Sequence, residues 1–269
     1  MSLSLYKQMM KTNMKMFLGF AIGSAIYVSL MTTLFPMIED NMAQIDEMLV
    51  IFPEALMRAL GLESMSTYSQ FIAVEYYGLF YLFIVGVFTI IISIHLIARL
   101  VDQGSMAYLL STRVSRAKIA TTQIVVLISG LLMIHIVTFG SGYFFAKLSI
   151  GSESELALFE FFQINLIGFL LFFAIGGYSL LISTLFNDEK NAFALAGGIT
   201  FIFYGIDMIG KVVAEIEWIR SFSLFSLYEP GKIASGDANI WLSLTIFMVI
   251  GIIGYVLSIL IFKKRNLPI

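Results

Sequence analysis

The sequence predicts an all-α integral membrane protein of six transmembrane helices, with an N-terminal interfacial amphipathic helix and a short helix in the loop between the second and third spans. The first observation behind this is composition. Of 269 residues, 59% are hydrophobic and 13% charged, and the mean hydropathy is +0.93, whereas soluble domains run at about 45–50% apolar and about 25% charged. The second is pattern: six apolar stretches of spanning length alternate with polar segments. The third is charge placement. With both termini inside, Lys7, Lys11, Lys15, Arg99, Arg113, Arg116, Lys118, Lys190, Lys263, Lys264 and Arg265 are cytoplasmic, leaving Arg58, Lys147, Lys211, Arg220 and Lys232 outside. That bias obeys the positive-inside rule, and the reversed orientation violates it. The 25 Phe and 12 Tyr fit lipid-facing helices with Tyr near the interfaces, although Phe suits a buried bundle equally. The absence of cysteine removes disulfides, thiol catalysis and cysteine metal sites.

In residues 1–15, Leu3, Leu5, Tyr6, Met9, Met10 and Met14 interleave with Lys7, Lys11 and Lys15, the pattern of a helix lying on the membrane surface. Residues 16–35 form the first span, stopped by Pro36; a signal peptide would have a shorter apolar core and a small-residue exit. Gly19 and Gly23 read either as a close-approach site for another helix or as glycines simply tolerated in a membrane. Residues 37–70 are an acidic outer loop, with Glu39, Asp40, Asp46, Glu47, Glu54 and Glu63 against Arg58, read as solvated surface rather than a cation attractor. Within it Pro53 and Gly61 bracket a short helix. The second span covers 71–98, with Glu75 near its outer end and His95 near its inner end. The third covers 119–146 and carries His135 near its middle. An outer loop with Glu153, Glu155 and Glu160 leads to the fourth span, 161–186, where Gly176-Gly177 is a packing or bending point. The turn Asn187-Asp188-Glu189-Lys190-Asn191 is too short to separate its neighbours, so spans four and five are antiparallel partners. The fifth span covers 192–209 and the sixth 240–262.

The loop 99–118 is the most informative. Arg99 closes the preceding helix and Gly104 breaks the backbone. Ser105 caps a helix over 106–111 that carries Met106, Leu109 and Leu110 on one side. Val114 leads to Ser115, a second N-cap, with Arg116 and Lys118 placed to reach the headgroups. The apolar face marks the loop as more than a linker. Asp102, Gly104-Ser105, Leu109-Leu110-Ser111 and Val114-Ser115-Arg116 resemble the coupling loop of ABC-2 type exporter permeases, the membrane half of transporters driven by a separate ATPase. Arg113 stands where that family usually has proline, and its charge cluster before the glycine is thinned here to Arg99 and Asp102. The outer segment 223–237, with its Glu229-Pro230 pair, and the basic ending with Asn266 in place of the common Asp also resemble the family.

The resemblance implies a permease that dimerises with itself or a related chain and binds a cytoplasmic ABC ATPase, with Asp188 and Glu189 as a second, smaller contact. ATP and magnesium then sit on the partner, and this chain binds no cofactor or metal of its own. A bacterial plasma membrane, export, and a hydrophobic drug or antimicrobial peptide as cargo follow from the same resemblance; no nucleic-acid partner is expected.

The residues themselves offer little bond chemistry. Residues 205–211 satisfy the first seven places of a phosphate-binding loop, but Val212 replaces the Ser or Thr that holds magnesium, and no strand precedes them. His95 and His135 belong to no H-E-x-x-H motif, and helix-packing hydrogen bonds are the simpler use for them. His135 is otherwise the one group deep in the membrane that titrates near neutrality. Glu75 and Asp207 either line an exit path or are solvated at the outer interface. The competing classes are a stand-alone ion-coupled secondary transporter, which needs more intramembrane ionisable groups and paired broken helices, and a membrane scaffold.

Overall fold

The computed structural model describes residues 1–41, 51, 53, 57, 67–112, 114–150 and 158–266. The helix expected between Pro53 and Gly61, most of the acidic loop around it, Arg113, Glu153, Glu155 and residues 267–269 lie outside that set. Among the described residues, six helices are long and apolar enough to cross a membrane.

Helix α1 runs without interruption from Leu3 to Glu39. Residues 3–15 are therefore continuous with the first span rather than a separate helix. No breaker separates Lys15 from Met16, Leu5 is buried, and the Tyr6 hydroxyl meets Ser129 Oγ at 3.1 Å. Pro36 does not stop the helix either. Proline cannot return a bond to the carbonyl four residues before it, but membrane helices tolerate such a loss, and Asp40 N–H still reaches the Pro36 carbonyl at 3.1 Å.

Helix α2, Tyr68–Asp102, organises the bundle. Thr67 caps it by accepting from Gln70 N–H, and after one α turn the backbone widens into a π-helical stretch, Ala73–Phe80. The i→i+5 bonding of that stretch leaves Tyr76, Tyr77 and Tyr81 all without solvent exposure. Their hydroxyls serve three other spans. Tyr76 meets Ser24, which also meets Thr138; Tyr77 donates to Asn165 Oδ1 at 3.0 Å; Tyr81 pairs with His135 Nε2 at 2.6 Å. Tyr68 adds a bond to Thr32 at 2.9 Å. These tyrosines are thus a polar core rather than the interfacial belt the composition suggests, because a buried phenol keeps its area in the core only if its hydroxyl is bonded.

The remaining elements follow in order. Helix α3 is Ser105–Leu110 and α4 is Arg116–Ser149, capped by Ser115 through Lys118 N–H. The α3 cap is Gly104 itself, at φ +70°, one residue before the expected Ser105, since the glycine supplies both the turn and the helix entry. Helix α5 is Leu158–Leu185; α6 is Glu189–Val212, capped by Asp188 through Asn191 N–H at 2.7 Å. Two 3₁₀ stretches, Ala214–Phe222 and Leu224–Leu227, and α7, Pro230–Ser235, lead to α8, Ile240–Lys264.

Helix α1 lies along α4, and α8 along α5. The second contact is glycine-mediated: a Cβ on Gly177 would stand 2.8 Å from the Gly251 carbonyl oxygen, and one on Gly254 would stand 2.5 Å from the Gly177 carbonyl carbon. Gly176-Gly177 is therefore a packing point. Spans four and five pack together as the short turn predicts, with Tyr178 bonded to Thr200 at 2.6 Å. Helices α2 and α5 are the most buried; α1, α6 and α8 are the least.

Candidate functional site at the terminal end

Both chain ends, the α2–α4 loop and the α5–α6 turn gather at one end of the bundle. Near that end α2 breaks at Ile97, whose φ and ψ are −133° and −65°. Ser183 of α5 occupies the gap: its Oγ accepts from Ala98 N–H at 2.9 Å and donates to the Ile94 carbonyl at 3.4 Å. A hydroxyl inserted between two ladder partners is a recognised cause of a helix break.

Beyond the break, Ala98–Asp102 forms one more turn that is fastened to α6. The Asp102 carboxylate accepts from Glu189 N–H at 3.2 Å. The Glu189 carboxylate lies 3.1 Å from His95 Nε2 and 3.7 Å from Arg99 Nε. Acidic groups at a helix N-terminus also meet the positive end of its dipole. The 99–118 loop and the Asp188–Glu189 turn, distant in the sequence, thus meet in one clasped surface.

Arg265 fastens the tail to the same surface. Its guanidinium donates to the carbonyls of Thr184 and Phe186 and to Asn187 Oδ1, while Arg116 donates to the Arg265 carbonyl. The end of α5 has orphan carbonyls, and a planar fork of donors suits them. In the sequence Arg265 counts only as an orientation charge, and nothing local marks Ser183 at all.

On α3, Met106 is fully buried in this chain's own core, and Leu109 and Leu110 are half-buried against it. Ser105 and Val114 are half-buried, while Asp102, Gly104, Ser111 and Ser115 are exposed. The residue α3 presents outward is Tyr108, 78% exposed. Ser111 and Thr112 bond back to the Tyr108 and Leu109 carbonyls at 2.8 and 2.6 Å, closing the helix beneath it.

The three residues considered for a path are not brought together. His135 has both ring nitrogens engaged, Nε2 with Tyr81 and Nδ1 with the Leu131 carbonyl at 2.7 Å, in the filled interior. Asp207 is buried in an ion-pair network at the opposite end, with Lys211 Nζ at 2.7 Å and Arg220 Nε at 3.0 Å. Arg220 also reaches Glu229, which holds Lys232 at 2.7 Å. Burial alone lowers the Arg220 pKa, but bonds to Glu229 and Asp207 raise it on balance. Burial pushes the Glu229 carboxyl up, and Lys232 and Arg220 together bring it below the usual range. Glu75 sits half-buried on the π-helical stretch.

An apolar groove of about 230 Å³ lies elsewhere, between α2 and α6, lined among others by Phe83, Gly86, Phe193, Gly197, Phe201 and Tyr204. No curated protein matches the sequence. Residues 19–267 match the family described as ABC-2 family transporter protein, a stretch that takes in α1 from Gly19 onward, the other five spans and the groove, and the chain belongs to that family of membrane transport subunits.

Proposed function

We propose that the chain is the permease of an ATP-driven exporter, coupled at its terminal end to a separate cytoplasmic ATPase and paired with a second permease, and that its cargo is hydrophobic. The terminal end is taken as cytoplasmic because most of the Lys and Arg gather there. The observation that carries the reading is the division of the molecule: a filled, hydrogen-bonded interior, an apolar groove on the side between α2 and α6, and a fastened end that turns Tyr108 outward.

Cargo has no route through the centre of the chain, where Tyr76, Tyr77 and Tyr81 are without exposure. A route along the groove fits, and its phenylalanines and glycines suit an apolar drug or peptide better than a polar or charged one. In this mechanism the ATPase closes on ATP and presses on α3 and the Asp188–Glu189 turn. Because Asp102 and Glu189 are bonded, the push reaches α2 and α6 together, and these two helices border the groove. The work comes from differential contacts between the two states. ATP and magnesium belong to the partner.

The test is a pull-down from native membranes in mild detergent with mass spectrometry, comparing wild type with Tyr108→Glu. The substituted side chain is exposed, so the fold tolerates the change. An ATPase that accompanies the wild type and is lost or greatly depleted with Tyr108→Glu supports the reading. If properly folded wild type brings down no ATPase, the coupling proposal fails.

A further inference from the structure

The break in α2 has no local cause. Ile94-His95-Leu96-Ile97-Ala98 contains neither glycine nor proline, and these residues otherwise suit a membrane helix. The helix resumes at once, with Val101 N–H bonded to the Ile97 carbonyl at 3.0 Å. What holds it open is tertiary: the Ser183 hydroxyl, fully buried, stands between Ala98 N–H and the Ile94 carbonyl.

A second arrangement satisfies the same groups. If Ala98 N–H bonds directly to the Ile94 carbonyl, the ordinary i→i−4 bond, α2 is continuous. The freed Ser183 hydroxyl then turns to the Ser179 carbonyl one turn back on its own helix. Other buried or half-buried serines of this chain do so already: Ser93 to Thr89 at 2.7 Å, Ser129 to Val125 and Ser258 to Gly254 at 2.8 Å. Neither arrangement strands a buried polar group. At the break itself the two packings keep equal numbers of bonds, and what lifting the turn gives up is the solvent-exposed Asp102–Glu189 bond and the Arg99–Glu189 pair, which water can replace, so the element meets the requirement for bistability.

We infer that Ser183 is a two-position hydrogen-bond switch, a positioning residue that lets the 98–102 turn and the α3 loop beyond it move as a lever on a fixed bundle. The open position is the one seen here, with the lever clasped to α6 through Asp102. Closing the helix rotates and lifts that lever, and Ser183 reports the change to α5 two residues before its end. Its part in coupling rests on the permease reading; the switch itself does not.

The chain has no cysteine, so spin labels can be placed at Gln103→Cys and Leu132→Cys, both exposed, on the lever and on α4. Distances are measured by electron–electron double resonance in nanodiscs without any ATPase. Ser183→Ala removes the hydroxyl, and the open position then leaves Ala98 N–H buried and unbonded, a penalty of about tenfold or more in the equilibrium. Wild type is expected to show two distance populations, Ser183→Ala one, and Ser183→Thr two. Superposable distributions for wild type and Ser183→Ala overturn the switch, as does Ser183→Thr behaving like alanine. In the ATPase complex, Ser183→Ala should retain the partner and its ATP hydrolysis while losing transport, with rescue by Ser183→Thr; equal transport in all three removes Ser183 from coupling. If no ATPase accompanies the wild type, the permease reading fails while the distance measurement still decides the switch.

Discussion

The glycine contact between α5 and α8 yields a prediction whose sign is set by geometry. A Cβ at Gly254 would lie 2.5 Å from the Gly177 carbonyl carbon and 2.8 Å from its oxygen; one at Gly177 would lie 2.8 Å from the Gly251 oxygen and 2.9 Å from its Cα. Ordinary carbon contacts sit at about 3.5–4.0 Å, so a methyl forces the helices apart by roughly 1 Å. The atoms it meets are backbone and cannot rotate away. Overpacking of this kind costs about 1–3 kcal/mol, against a gain of about 0.5–1 kcal/mol from replacing a mid-helix glycine. Gly254→Ala should therefore destabilise by about 1–2 kcal/mol, or roughly 2–8 °C in melting midpoint for a chain of this size. A methyl at Gly19, Gly23, Gly197 or Gly198 would meet nothing within 4 Å, so Gly197→Ala in detergent-dispersed monomer should be neutral or slightly stabilising. The assay is loss of the monodisperse peak on size-exclusion chromatography after heating. A midpoint for Gly254→Ala at or above wild type would refute the close approach.

Two further outcomes are expected. Arg265→Ala removes three acceptor contacts at the end of α5 and should lower stability by about 1–2 kcal/mol after allowance for solvent exposure; Arg265→Lys should recover less than half, because a point charge cannot serve carbonyls and an amide together, and full recovery in the same melting assay would contradict the fork. Glu229 has a folded pKa below its unfolded value, so its contribution is fully present above the unfolded pKa and is lost as pH falls through the folded pKa. Melting midpoints should decline with acid at and below the usual carboxylate range, and Glu229→Gln should flatten that decline; identical profiles would discount the Arg220–Glu229–Lys232 network.

The helical bundle is legible in the sequence because lipid imposes it: apolar length and the distribution of Lys and Arg suffice to place six spans. The cap at Ser115 is legible for a local reason, a side-chain oxygen facing its own helix start. The features that depend on a partner helix are not. Ile97 lies in a run with no breaker, and its broken geometry is imposed by Ser183, eighty-odd positions away. Arg265 belongs to a basic tail whose composition says which side it is on and nothing about the carbonyls it meets. Pro36 misleads because a membrane helix can carry an internal proline at the cost of one ladder bond without ending there. Met106, Leu109 and Leu110 share one apolar side by period, yet α3 turns that side toward its own bundle and leaves Tyr108 outermost.

Open glycines gather on α1 and α6, with Gly140 of α4 as a further one. Gly176, Gly177, Gly251 and Gly254 are consumed inside, whereas Gly19 and Gly23 on α1 and Gly197, Gly198 and Gly205 on α6 stand open. Helix α2 packs against both α1 and α6, with Tyr27 against Phe80 and Phe83 against Tyr204. Small residues matter in lipid only when another backbone comes near, because a helix facing hydrocarbon gains nothing from them. Under the proposed pairing with a second permease, the flank of α1, α2 and α6 is where the partner belongs, and the groove between α2 and α6 becomes a boundary between two chains. Gly197→Ala then separates the two environments: harmless in the monomer, where only detergent faces it, and disruptive in the assembled transporter, where another helix does.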